Sequence, residues 1–302
     1  MKSSLFTLGT AQLGLKYGVA NQIGKPDLKQ AFGLLDESLA QGIFSFDTAA
    51  AYGNSEEILG NYFYKNKDVK SHIITKLNPL ALNSSSSQKE AVEQVDESLN
   101  LSFKRLKRHL IDTLLFHRFK NLTWSNYFLL NYLREKKNIK HIGVSVDSPE
   151  EAEAALSIDG ISAIQLPTNL LDFRYIDKGI LEQAEKKKIQ VYIRSIFLQG
   201  LILMNIKNIP PYLKEAVPQI ITLIKICNDH NISSIQELTF SFLKSLNGNI
   251  NIIIGCETAD QLKENAQLMK QSTIMKQDVK SIIFKNHRKL KDHILTPSLW
   301  KI

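Results

Sequence analysis

Short runs of Ile, Leu, Val and Phe recur along the chain, at Leu5–Leu8, Ile43–Phe46, His72–Thr75, Ile111–Phe116, Ile139–Val144, Ala163–Leu166, Gln190–Ile193 and Ile250–Ile254. Strict apolar/polar alternation is largely missing from them, which is the pattern of parallel strands buried on both faces. Between them apolar positions fall at helical spacing, over Pro26–Ala40, Ser55–Tyr64, Gln88–Lys107, Ser125–Lys137, Glu150–Leu156, Gly179–Lys187, Glu215–Asp229 and Ala259–Met269. Several of these segments open with residues that satisfy the first free amides of a helix. Ser148, then Pro149 and Glu151, supply an N-cap, a proline at the first helical position and a capping-box acid. Thr258 with Gln261, and Asn54 with Glu57, repeat the scheme.

Strands alternating with helices in this way allow a closed barrel or an open doubly wound sheet. An open sheet that binds a dinucleotide usually carries G-x-G-x-x-G after its first strand. The stretch Gly9-Thr10-Ala11-Gln12-Leu13-Gly14 lacks that spacing. The expected fold class is therefore α/β, a (β/α)8 TIM barrel, and 302 residues suit the roughly 250 of such a barrel with additions. No linker divides the chain, and the Ser84–Ser87 run reads as a loop before a helix. Residues 1–302 are expected to form one barrel domain, with a basic helix and a tail ending Pro297-Ser298-Leu299-Trp300 appended from about Met275.

Composition narrows the setting. Hydrophobic residues are 43% and charged residues 23%, the balance of an ordinary globular protein. Cys227 and Cys256 form no close pair, which argues against a disulfide framework and suits a reducing cytosol. The first residues read as a strand and not as a signal peptide, and no run approaches the roughly 20 apolar residues of a membrane span. A soluble, cytoplasmic protein is expected. The net charge of +8 raises nucleic acid as a partner. However, the groups at Lys104–Arg108, Lys186–Lys188 and Lys285–Lys291 alternate with apolar residues as solvated helix faces do, and no zinc, RNP or basic-zipper signature accompanies them. The charge is better read as a solvated surface, or as attraction for an anionic substrate or cofactor.

Catalytic residues of a barrel stand at the C-terminal ends of its strands. The second run ends at Asp47, the third at Lys76 and the fourth at His117, and Tyr52 lies on the loop that follows Asp47. Taken singly these are a cap, a solvated lysine, a structural histidine and a packing tyrosine. Taken together, from three successive strand ends, they converge on one rim.

The set Asp47, Tyr52, Lys76 and His117 resembles the Asp-Tyr-Lys-His tetrad of the aldo-keto reductase superfamily. Leu8-Gly9-Thr10-Ala11, Asp47-Thr48-Ala49 to Tyr52-Gly53, Ser55-Glu56, Gly143-Val144-Ser145, Gln165, Ser195 to Gly200, and Ile254-Gly255-Cys256 with Thr258, Gln261 and Glu264-Asn265 fit that family in the same order, over roughly residues 5–270. The resemblance implies reduction of an aldehyde or ketone, or oxidation of the matching alcohol, by hydride transfer from a nicotinamide cofactor. Gly9 to Gly14 with Tyr17-Gly18 is similar to bacterial members linked to surface-sugar or specialised metabolism, so a sugar-derived carbonyl is one candidate.

In that comparison Tyr52 is the proton donor. A free tyrosine has a pKa of about 10 and is a reluctant acid. A neighbouring Lys76 ammonium favours the tyrosinate: a charge pair about 4 Å apart at an effective dielectric near 20 is worth on the order of 4 kcal/mol, or roughly three pKa units. Asp47 keeps Lys76 charged, and His117 orients the carbonyl oxygen. The cofactor, by the same resemblance, passes Gly9, Thr10 and Asp47. Its nicotinamide amide meets Ser145 and Gln165, and its pyrophosphate meets Ser195, Phe197 and Gly200. Its adenosine end meets Gly255, Thr258, Gln261 and Asn265.

The chain departs from the family pattern in places. NADP-preferring members often carry basic residues near the eighth strand, where this chain has Gly255, Cys256, Glu257 and Gln261, with Lys263 as a partial substitute. NADP(H) is expected on family habit, with NAD(H) the alternative. Val146 replaces a frequent asparagine, and the aromatic that often follows Gln165 is missing. Arg194 is either an anion-facing residue or half of a structural ion pair. Trp300 either walls the substrate pocket or packs the tail down.

Two other classes compete. A reductase-like sensor with little turnover has no need for every proton-transfer group. An aldolase would use Lys76 as a Schiff base. The seven histidines show no H-E-x-x-H or H-x-x-E-H spacing, so no metal is expected.

Overall fold

The computed structural model describes residues 5–287 and 290–300. Its strands are β1 (Phe6–Gly9), β2 (Ser45–Asp47), β3 (His72–Lys76), β4 (Ile111–Phe116), β5 (Ile139–Ser145), β6 (Ala163–Pro167), β7 (Gln190–Arg194) and β8 (Ile250–Gly255). Each pairs in parallel with the next, and β8 pairs with β1, for example Leu8 with Ile254, so the sheet closes into a barrel surrounded by helices. This is the (β/α)8 TIM barrel.

Side chains alternate across each strand. The outward set includes Leu8, Phe46, Ile73, Leu114, Val144, Ile164, Ile193 and Ile252, all buried against the helices in the main core. The inward set forms a second, smaller core of Ile74, Leu115, Ala163, Tyr192 and Ile253. At the N-terminal end of the barrel the inward layer is polar: Thr7 donates to Ser45 at 2.8 Å, and His72 contacts the Thr113 and Tyr192 hydroxyls at 3.2 and 3.3 Å. Two buried faces leave no solvated one, which is why the strands read as unbroken apolar runs.

The helices start where capping chemistry permits. Ser148 accepts from the Glu151 amide and Thr258 from the Gln261 amide. Asn54 does not cap the helix Ser55–Lys65, contrary to expectation; its side-chain Oδ1 accepts instead from Lys25 Nζ at 2.6 Å. The expected helix over Ser125–Lys137 shrinks to Phe128–Arg134, because Ser125, Asn126 and Tyr127 take left-handed φ values of 47°, 54° and 64°. A further helix, Ile235–Lys244, precedes β8 and was not apparent in the apolar spacing.

The C-terminal helix Gln277–His287 buries Val279 and Ile283, and its Phe284 packs on Phe173 with ring centroids 4.3 Å apart. Of the basic group Lys285–Lys291, Arg288 and Lys289 lie outside the described residues. Among the described residues no helix is long and apolar enough to cross a membrane.

Candidate functional site

Two residues beyond each inner-core position, the inward row reaches the C-terminal rim. There it reads Gly9 (after Thr7), Asp47 (after Ser45), Lys76 (after Ile74), His117 (after Leu115), Ser145 (after Gly143), Gln165 (after Ala163), Arg194 (after Tyr192) and Gly255 (after Ile253). All eight strands thus deliver a glycine or a polar group to one ring, by period two alone.

Asp47 and Lys76 form the hub of this ring, 4% and 1% exposed. The Lys76 ammonium spends its three hydrogens on Asp47 Oδ1 at 2.7 Å, Asp47 Oδ2 at 2.8 Å and the Thr48 carbonyl at 2.9 Å. Gln165 Nε2 donates to Asp47 Oδ1 at 2.7 Å. Burial pulls the Lys76 pKa down, and the Asp47 carboxylate opposes that shift. Thr10, fully buried, lies behind the hub: its hydroxyl donates to the Asp47 carbonyl at 2.8 Å and contacts Ser55 Oγ at 2.7 Å.

Tyr52 is held over the hub by its loop. Lys76 Nζ lies 4.8 Å from its ring centroid, and the His117 ring meets it edge-on at 6.0 Å. Burial raises the Tyr52 pKa, Asp47 raises it further, and Arg194 works in the opposite direction. The expected lowering by Lys76 is therefore absent from the resting protein: the ammonium is neutralised by Asp47 and the phenol is desolvated. Tyr52 keeps its proton until something takes it.

The loop has little room to move. A Cβ on Gly14 would come within 1.8 Å of the Tyr52 carbonyl oxygen, and one on Gly53, at φ +55°, within 2.4 Å of the Gly14 oxygen. Gly14→Ala is expected to destabilise the fold by about 3 kcal/mol and to lower turnover, because backbone at Tyr52 must shift. Urea unfolding and steady-state kinetics of the variant check this.

His117 has a buried Nδ1 without a hydrogen-bond partner. Burial, and then the Lys76 charge, push its pKa down to about 3, so the imidazole is neutral at physiological pH. The unfolded chain, with a histidine pKa near 6.5, takes up this proton first as pH falls. Stability is therefore lost on acidification through the window between 6.5 and 3, by roughly 1.4 kcal/mol per pH unit at most. The urea midpoint should fall between about pH 7 and about pH 5, and less steeply in His117→Asn; equal slopes would contradict this.

A cavity of about 510 Å³ adjoins this hub, and its wall includes Gly9, Asp47, Tyr52, Gln165 and Arg194, Ser195, Phe197 and Gly200 of the loop after β7, and Gly255, Gln261 and Asn265 at and after the end of β8. The loop after β7 owes its shape to four left-handed residues, Ser195, Leu198, Gln199 and Gly200, and to Asn169, which donates to the Ser195 carbonyl at 3.1 Å. Arg194 lines the cavity and is also paired, donating to Asp147 at 2.5 Å and to the Val146 carbonyl at 3.1 Å. The ion pair is thus present, and it leaves the residue on the cavity wall.

Among the expected site residues Lys76 and His117 contact Tyr52 without lining the cavity, and four more stand elsewhere. Thr10 is behind the hub, and Thr258 spends its hydroxyl on capping the helix Ala259–Gln271. Ser145 is paired beside Gln165 at the end of β5, off the cavity wall. Trp300 packs the tail, donating from Nε1 to the Ile294 carbonyl at 3.2 Å, and does not line the cavity. Conversely Gln12, Tyr17, Gln22, Asn205, Asn208 and Gln236 line it with no assigned role in the sequence reading. Tyr17, Gln22 and Asn205 sit on loops, Gln12 and Asn208 in single short turns of helix, and Gln236 in the first turn of the helix Ile235–Lys244, places with no periodicity to mark them, except that Gln12 and Tyr17 belong to the first glycine-rich segment. Among the described residues no cluster of three or more His, Cys, Asp or Glu is arranged to hold a metal.

The model of the Aldo/keto reductase family matches residues 6–285. Among solved structures, the glycerol dehydrogenase of Gluconobacter oxydans is similar over 96% of this chain and 94% of its own, at 22% identity and a TM-score of 0.73. A Pseudomonas aeruginosa protein assigned as an aldo-keto reductase is similar over 89% of this chain and 91% of its own, at 21% identity and a TM-score of 0.65. At such identities the likeness is one of fold. No curated protein matches the sequence.

Proposed function

Because the chain belongs to the aldo/keto reductase family, and hence to the oxidoreductases, we propose that it interconverts an aldehyde or ketone and its alcohol with a nicotinamide dinucleotide, using Tyr52 as the proton donor. The observation that carries this reading is the meeting of Tyr52, His117 and the Asp47–Lys76 pair, of which Tyr52 and Asp47 line the cavity.

The walls suit such a cofactor. A Cβ on Gly255 would lie 2.4 Å from Gln12 Nε2, and one on Gly200 2.5 Å from the Ala20 Cβ, so only glycine lets these wall segments pack closely together. Gln165 and Arg194 would hold its nicotinamide part, Ser195, Phe197 and Gly200 its pyrophosphate, and Gly255, Gln261 and Asn265 its adenosine. Reduced nicotinamide bound there supplies hydride to the carbonyl carbon. The neutral His117 offers a hydrogen bond to the carbonyl oxygen. Tyr52 gives its phenolic proton to that oxygen as negative charge develops on it. The Arg194 cation favours the tyrosinate, and the Asp47–Lys76 pair holds the floor beneath the Tyr52 ring. The tyrosine's raised resting pKa is consistent with an acid that stays protonated until the alkoxide forms.

Lys76 is poorly suited to be a Schiff-base nucleophile, since all three of its hydrogens are engaged. The amides of Gln12, Gln22 and Asn205 on the cavity wall support a hydroxylated, sugar-derived carbonyl over an apolar one. The test is consumption of reduced dinucleotide across a panel of aldehydes, ketones and keto-sugars. Turnover with at least one of them is expected; binding of dinucleotide with no oxidation by any carbonyl would refute the proposal.

A further inference from the structure

The N-terminal mouth of the barrel, opposite the hub, carries a second cavity, of about 580 Å³. It lies between the segments that lead into β3, β4 and β5, and its wall includes Lys70, His72, Arg108, His109, Asp112 and Lys140. It shares no lining residue with the cavity beside Tyr52. Strand β3 links the two ends: His72 opens it and Lys76 closes it, about 13 Å further along.

Local structure gathers cations at this mouth. The helix Gln88–Leu106 stops at Lys107, which takes a left-handed φ of 52°, and Arg108 beyond it reaches the loop before β3. There its guanidinium donates to the Ser71 carbonyl at 3.1 Å and to the Ser71 hydroxyl. Asp112 is the one carboxylate on the wall among the described residues, and it is already satisfied. Its Oδ2 accepts from the Ile73 amide at 3.0 Å and its Oδ1 from Lys140 Nζ at 2.7 Å. Lys140 keeps its other ammonium hydrogens, and Lys70 and His109, both exposed, have no polar partner among the described residues. Lys70, Arg108 and Lys140 against Asp112 leave the wall a net of two positive charges. Helix ends do not account for them. Lys104 and Arg105 sit in the last turn of their helix, where a cation offsets the dipole, whereas Lys70 stands on a loop and Lys140 on β5.

We propose that this second cavity binds a phosphorylated small molecule, whose phosphate oxygens accept from Lys70, Lys140 and His109. A phosphate ester carries close to two negative charges at neutral pH, which matches the net charge of the wall better than a single carboxylate does. Ammonium groups serve phosphate as point charges and need no forked geometry. The volume falls within the roughly 300–1,000 Å³ of small-molecule sites, and Val69 and Leu110 give the rest of the molecule apolar wall. The cations surround one bounded cavity and do not run in a stripe, which favours a small ligand over a nucleic-acid backbone. The site stands whether or not the reaction proposed for the other cavity does.

Calorimetric titration of the full chain with inorganic tripolyphosphate at low ionic strength tests this. Native protein is expected to bind the probe, and to bind it more weakly as salt screens the charges. Lys70→Glu, which breaks no contact of the folded chain, and Lys140→Ala should each lower the affinity on the order of tenfold or more. Lys186→Glu, which makes the same charge change at an exposed position on the helix Ile180–Lys186, should leave it unchanged. Absence of binding by the native protein would overturn the proposal. So would an affinity that Lys70→Glu does not lower, or a loss that Lys186→Glu reproduces in full. An oligonucleotide of about ten nucleotides that binds more tightly than tripolyphosphate, and weakens in Lys70→Glu, would assign the surface to nucleic acid and overturn the small ligand.

Discussion

Tyr52→Phe is expected to lower kcat for carbonyl reduction by about 10²- to 10⁴-fold, the usual worth of a positioned general acid, with the Kd for dinucleotide essentially unchanged. The phenol is the group over the hub that carries a proton at neutral pH: His117, pushed down to about 3, is neutral, and Lys76 is saturated by Asp47 and Thr48. Phenylalanine keeps the ring that meets His117 edge-on, so the loop and the cavity should survive. Turnover close to that of the native enzyme would remove Tyr52 from the chemistry. Loss of dinucleotide binding along with turnover would show that the hydroxyl builds the pocket and does not act on the substrate.

The second large effect concerns stability. Asp47 and Lys76 are almost fully buried, so removing either leaves an uncompensated charge inside the barrel, a change that costs about 3–5 kcal/mol. Lys76→Met strands the Asp47 carboxylate with the Gln165 amide as its remaining side-chain partner. Asp47→Asn strands the ammonium on a neutral amide and the Thr48 carbonyl. The double variant carries neither charge and should recover most of the loss, giving a coupling on the order of 2 kcal/mol or more by urea denaturation. Additive losses would mean that the pair contributes through packing and not through charge. All three variants should be inactive, so stability and activity separate in the double variant.

Much of the barrel was legible from apolar periodicity, because eight strands buried on both faces leave few other patterns. The apolar runs stop one residue short of the strand ends Gly9, Asp47, Lys76, Ser145, Pro167, Arg194 and Gly255, since a polar residue, a glycine or a proline closes each. Those same residues continue the inward-facing row, and counting in twos from Ile74, Tyr192 or Ile253 places them in the strands. The convergence at the hub was legible for the same reason: strand ends are ordered in space by topology.

Residues on loops were not. Whether Trp300 walls the pocket or packs the tail depends on where a tail lands, and no local pattern encodes that. Thr10 and Thr258 looked like ligand contacts, yet each hydroxyl is used by nearby backbone, a competition common for threonine and serine at turns and caps. The helix Ile235–Lys244 was missed because its buried Leu238, Phe240 and Phe242 crowd more than one face and blur the helical period. The Tyr52 pKa is not legible in the sequence either, because the order of residues carries no information on the burial of the phenol or on the Asp47 carboxylate beside it, and these raise it.

Hydride transfer inside this cavity is tested most directly with a dinucleotide carrying deuterium at the transferable position of its reduced nicotinamide, in ordinary water, with an aldehyde that the enzyme turns over. The alcohol is predicted to carry one deuterium on the former carbonyl carbon in the native enzyme, and to form far more slowly in Tyr52→Phe. Alcohol without that label, or label delivered at the native rate by Tyr52→Phe, would contradict the account.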